Sequence, residues 1–175
     1  MIESSARDAV EFGPVGKSLF VIAKSVAIVG GLVLLSIIGL SIVSIVGRKI
    51  ASSPVLGDVE IMQMSAAPAI ACFFAYCHLI RGDVRVDFVS DQLGQTWRMR
   101  LNALGSLCLG VVAALIAWRT AVGAEGLREV GETSALLSWP VWISQALVVP
   151  GFALQAMAGF YMFARYLSAA KERAA

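Results

Sequence analysis

The chain is 175 residues long, 58% of them hydrophobic and 15% charged, with a formal net charge of +2. A mean hydropathy of +0.80 excludes an ordinary soluble domain and predicts a membrane protein. The length leaves room for a few spans and short connections but for no separate domain of typical size, and no nucleic-acid partner is expected.

The predicted organisation is a single all-α membrane domain over residues 1–175. It comprises four transmembrane helices in one bundle and a cytoplasmic interfacial amphipathic helix between the second and third. The first span is read from residues 25–47, which carry no charge. At about 1.5 Å per residue the run is long enough to cross a hydrocarbon core of roughly 30 Å. Lys17 and Lys24 precede it, as they would in a signal peptide, but the run exceeds an h-region and no small-residue cleavage site follows, so an anchor is expected. Three further apolar segments follow at 61–80, 101–118 and 140–164. With their flanks, the four spans are placed at roughly 20–47, 58–80, 100–120 and 139–165. Pro68 and Pro150 fall inside the second and fourth, where kinks are expected and ends are not, because neighbouring helices can satisfy the freed carbonyls.

Residues 78–94, "HLIRGDVRVDFVSDQLG", gather Arg81, Asp83, Arg85, Asp87 and Asp91 into one connection. Read as a helix over roughly 84–97, the segment places Val86, Val89, Leu93 and Trp97 on one stripe and its polar residues elsewhere, the pattern of a helix lying in the membrane surface. Arg98 and Arg100 follow its end. In span three, Ser106, Gly110 and Ala114 form a small-residue ladder continued by Asn102, and Ala67, Ala71 and Ala75 form another in span two. Gln145 and Gln155 are the uncharged polar groups of span four. Small faces allow close helix approach, and amides hydrogen-bond across them.

Basic residues near span ends resist translocation, so their distribution predicts orientation. Arg7, Lys17, Lys24, Arg81, Arg85, Arg98, Arg100, Arg165, Lys171 and Arg173 fall on one side, and Arg48, Lys49, Arg119 and Arg128 on the other, ten against four. Both termini are therefore expected in the cytoplasm. Glu125, Glu129 and Glu132 then lie in an outer loop, with Trp118, Trp139 and Trp142 at the outer interface and Trp97, Tyr161 and Tyr166 at the inner one.

Candidate chemistry is sparse. Cys72, Cys77 and Cys108 fall inside proposed spans, where they cannot exchange with soluble thiol partners. His78 is the only histidine and cannot supply paired haem ligation. No acidic, basic or histidine residue is expected at mid-membrane depth, where a proton or ion path would need one. Glu60 opens span two, suiting the helix dipole or a subunit contact. Neither an enzyme nor a chain-borne cofactor or metal site is expected.

The order of these features resembles the small membrane subunit, the DctQ type, of tripartite ATP-independent periplasmic (TRAP) transporters. The matching marks are Glu60, then "RGDVRVDFVSDQLG" at 81–94, the basic pair in "RMR" at 98–100, and "ETSALLSWPVWISQALVVPGFAL" at 132–154. Arg85 stands where the family often has His. The resemblance implies a non-catalytic scaffold in a bacterial inner membrane, packed on a large DctM-type subunit. That subunit would move an organic acid with sodium by an elevator motion, so sodium is expected there and not in this chain. A periplasmic DctP-type protein would deliver the substrate. By this resemblance Glu60, Arg81, Arg85, Asp87, Asp91, Arg98 and Arg100 are candidate contacts to the large subunit or to phospholipids, and Glu125 and Glu129 are candidates for docking the binding protein. The alternative is a self-sufficient oligomeric channel or transporter, with Gln145 or Gln155 lining a pore between copies.

Overall fold

The computed structural model describes residues 13–51, 55–83 and 95–172, and they form four long helices. These are α1 (Pro14–Ala51), α2 (Asp58–Leu79), α3 (Gln95–Val130) and α4 (Val141–Glu172). All four are long and apolar enough to cross a membrane. Residues 84–94, which hold Arg85, Asp87, Asp91 and most of the expected interfacial helix, lie outside the described residues; Gln95 to Trp97 open α3.

Local sequence explains most of the boundaries. Pro14 opens α1, a position where its fixed φ is pre-organised and its missing N–H costs nothing. Arg48 and Lys49 occupy the last turn of α1, and Asp58 and Glu60 the first turn of α2, each complementing the helix dipole. α3 ends at Gly131, whose φ of 69° permits a Schellman closure: the Glu132 N–H donates to the Leu127 carbonyl (3.2 Å) and the Gly131 N–H to the Arg128 carbonyl (3.3 Å). α2 ends the same way, except that Arg81 takes the left-handed position, at φ 56°, and the Gly82 N–H donates to the Cys77 carbonyl (2.8 Å). Pro68 and Pro150 lie inside α2 and α4, which continue through them.

The packing departs from a closed bundle. α4 packs between α2 and α3, while α1 packs on α2 and scarcely meets α4, so the helices form a row in the order α1, α2, α4, α3. One end of the row, here the loop end, carries the α1–α2 and α3–α4 connections. The other, the terminal end, carries the start of α1, the finish of α4 and the α2–α3 connection. A cluster from all four helices fills the terminal half: Ala23, Ala75, Leu79, Ala103, Leu154, Ala158, Met162 and Tyr166.

The reason for a row lies in where the small residues are. A Cβ added at Gly30 of α1 would sit 2.7 Å from the Ala69 carbonyl oxygen of α2. One added at Gly151 of α4 would sit 2.8 Å from the Ala71 backbone, and one at Gly159 of α4 2.6 Å from the Gly110 Cα of α3. Backbones thus touch at three crossings, in the manner of small-residue interfaces in membranes. α4 carries two of them, which places it inside the row, whereas α1 has one. Accordingly 39% of the most apolar window of α4 is buried, against 11% of that of α1.

Candidate functional site

At the loop end, the α3–α4 connection folds back over the start of α2. The connection is a short pinched turn: Thr133 and Pro140 bridge, the Ser134 N–H donates to the Trp139 carbonyl (2.8 Å), and the Val141 N–H donates to that of Glu132 (3.1 Å). Glu60 holds it in place. One carboxylate oxygen accepts from the Leu136 N–H at 2.7 Å and the other from the Leu137 N–H at 2.9 Å. Leu137 also packs over the Cα of Gly57, where a Cβ would be 2.7 Å from its Cγ. Glu60 therefore makes these contacts within its own chain. Held in this position, the connection leaves Leu136 and Trp139 exposed.

Beside it, α1 is tied to α2. The buried Ser44 hydroxyl donates to the Asp58 carboxylate, and the Arg48 guanidinium lies 3.9 Å from the same carboxylate. The Ser144 hydroxyl of α4 donates to the Met64 carbonyl of α2. Between these ties α1, α2 and α4 enclose an apolar groove of about 410 Å³, lined among others by Gly30, Pro68, Cys72, Trp139 and Pro150.

Glu125 and Glu129 are exposed on the last turns of α3, with Arg128 stacked on Trp142 at 5.3 Å. Glu125, Arg128 and Trp142 line a shallow hollow of about 280 Å³ between α3 and α4. At the terminal end, His78 is buried and its Nδ1 pairs with the Asp83 carboxylate at 2.5 Å, closing the turn that Arg81 begins. The Arg81 guanidinium lies 5.5 Å from the centre of the Tyr166 ring, and Arg100 lies 5.6 Å from that of Trp97. Arg98 is in the first turn of α3.

Among the packing candidates, Ser106 and Gly110 are buried at the α3–α4 crossing, and Ala114, one turn on, is half-buried. Gln145 meets α3 at Gly123, where a Cβ would lie 3.0 Å from its Oε1. Gln155 is 7% exposed, which leaves it unavailable to line a pore between copies. The side-chain carbonyl oxygens of both glutamines are buried without a hydrogen-bond partner. Sequence reasoning missed Gly30, Gly151 and Gly159 as crossing points. The available signal was the presence of glycine inside a helix, where it is unfavourable unless something approaches closely.

Among the described residues no group of three or more His, Cys, Asp or Glu side chains is arranged to hold a metal ion. What these residues build is a set of packing contacts and two pinned ends, the architecture of a multi-pass membrane subunit that presents surfaces. The family model described as "Tripartite ATP-independent periplasmic transporters, DctQ component" matches residues 37–169. The chain belongs to that family, and is the small membrane subunit of a TRAP transporter. A large membrane subunit and a periplasmic binding protein are its implied partners. No curated protein and no solved structure matches the chain.

Proposed function

We propose that this chain is the non-catalytic scaffold of its transporter, bracing a large elevator-type subunit during sodium-coupled uptake of an organic acid. The observation that carries this reading is α1, a 38-residue helix of which the most apolar window is only 11% buried. Leu32, Leu35, Ile38, Ile42 and Ile45 stand exposed along it. A helix fixed to its own chain along one face has the rest of its apolar surface available to a larger membrane protein.

In this reading the terminal end faces the bacterial cytoplasm and the loop end the periplasm, as the ten-to-four distribution of basic residues supports. The segment with Arg81, Arg85, Asp87 and Asp91, with Arg98 and Arg100, meets partner or phospholipid headgroups at the cytoplasmic surface. Glu125 and Glu129 join the exposed turn at Leu136 and Trp139 as the landing surface for the binding protein.

Co-purification tests the scaffold. With an affinity tag on the large subunit, the wild-type chain is expected to elute with it, and Leu35→Asn combined with Ile42→Asn on the outer face of α1 is expected to reduce recovery severalfold. Full recovery of that variant, with loss on equivalent substitution of Leu104 and Leu115 in α3, would move the interface away from α1.

A further inference from the structure

The helices' contacts fix their relative levels along a common axis. Gly30 lies against Ala69 and Cys72, and Ser44 against Asp58, which registers α1 on α2. Gly151 on Ala71 and Ser144 on Met64 register α4 on α2. Gly110 on Gly159 and Gly123 beside Gln145 register α3 on α4.

On that scale the apolar segments do not lie side by side. At about 1.5 Å per residue, the midpoints of 25–47 in α1, 61–80 in α2, 140–164 in α4 and 101–118 in α3 fall progressively toward the terminal end, by roughly 20 Å in all. Charges follow the same slope. Arg48 stands about 25 Å nearer the loop end than Arg119, and Lys24 about 17 Å nearer it than Arg100. An upright row would bring Arg119, exposed on α3 and level with about Val149, close to the bilayer midplane. It would also sink Trp118 about 16 Å below Trp139. An exposed arginine at that depth is costly.

We propose that the bilayer-contacting surface of this chain is an inclined apolar band, so that the whole row of helices crosses the membrane at about 40° to its normal, leaning in its own plane. Neighbouring helix axes are about 8–10 Å apart, so a fall of roughly 20 Å over about 25 Å of row gives that angle, at the upper end of the tilts helices adopt. Over the part of the band that a larger membrane subunit does not cover, the occupant is phospholipid, and charge complementarity supports it. In the inclined frame Lys24, Arg81, Arg98, Arg100 and Arg165 come to within about 5 Å of a single depth at one headgroup layer, while Arg48 and Arg119 reach the other. The acidic end of α3, with Glu125 and Glu129, emerges into water. At that tilt a span needs about 26 residues where about 20 would serve upright, and α1, α3 and α4, at 38, 36 and 32 residues, are long enough for the inclined crossing. Nothing in the proposal depends on which transporter the chain serves.

Nitroxide depth measurements in liposomes test it, using the full chain with Cys72, Cys77 and Cys108 replaced by alanine. Leu35→Cys in α1 and Val122→Cys in α3 label exposed positions at one axial level in the loop half, and Val21→Cys and Leu109→Cys do the same in the terminal half. An inclined row puts Val122 about 15 Å shallower than Leu35, and Val21 about 15 Å shallower than Leu109. Accessibility to a water-soluble nickel chelate should rise, and to oxygen fall, at Val122 and Val21. Equal depths within each pair, or the reverse order in either, would overturn the proposal. Because the shallower label is on α3 in the loop-half pair and on α1 in the terminal-half pair, a local distortion at one label cannot imitate the expected pattern.

Discussion

The carboxylate of Glu60 and the backbone N–H of Leu137, 77 positions apart in the chain, are joined at 2.9 Å, with Leu136 held at 2.7 Å by the same side chain. The start of α2 thereby fixes the shape of the α3–α4 connection. Glu60→Ala is expected to accelerate amide exchange at Leu136 and Leu137 by on the order of tenfold, with Glu60→Gln falling between it and wild type. Unchanged exchange in Glu60→Ala would show that the connection keeps its shape without the clamp.

The crossing of α3 and α4 depends on the absence of side chains. Gly159→Ala would drive a Cβ to 2.6 Å from the Gly110 Cα, an overpacking expected to cost about 1–3 kcal/mol. Gly126→Ala meets nothing within 4 Å and should leave stability level or raise it slightly. Thermal unfolding of both variants in detergent separates the two outcomes.

Much of the architecture was legible in the sequence because hydrophobic length is a direct physical requirement of the bilayer. Four apolar runs separated by charge could become little else than four crossing helices. Glu60 stood out as an acid at the mouth of a span, but its partners are two backbone amides of a remote turn, which no side-chain pattern announces. Gly110 was visible because it falls in a ladder with Ser106 and Ala114. Gly151 and Gly159 were not, because the two face different neighbours. The row itself was illegible for the same reason: helix order depends on which small faces meet. Arg85, Asp87 and Asp91 lie outside the described residues.

His78 and Asp83 close the terminal end of α2, the imidazole 1% exposed and paired with the carboxylate at 2.5 Å. Asp83→Ala leaves a buried imidazole without its partner, at an expected cost of about 1–3 kcal/mol. His78→Ala together with Asp83→Ala should cost less than the sum of the single changes, and a double-mutant cycle by thermal unfolding measures the coupling.

Glu125 and Glu129 lie exposed at the loop end. If they meet a basic patch on the binding protein, Glu125→Lys with Glu129→Lys should lower binding-protein-dependent uptake severalfold at low salt, and the deficit should shrink as ionic strength rises. Equal uptake by wild type and variant across the salt series would remove these residues from the docking surface.

The central claim is that this chain supports transport without performing it. Uptake of the proposed organic acid substrate into proteoliposomes under an inward sodium gradient tests that most directly, comparing this chain alone, the large subunit alone, and both, each with the binding protein present. Transport is expected only when both membrane subunits are reconstituted. Uptake by this chain in the absence of the large subunit would contradict the account.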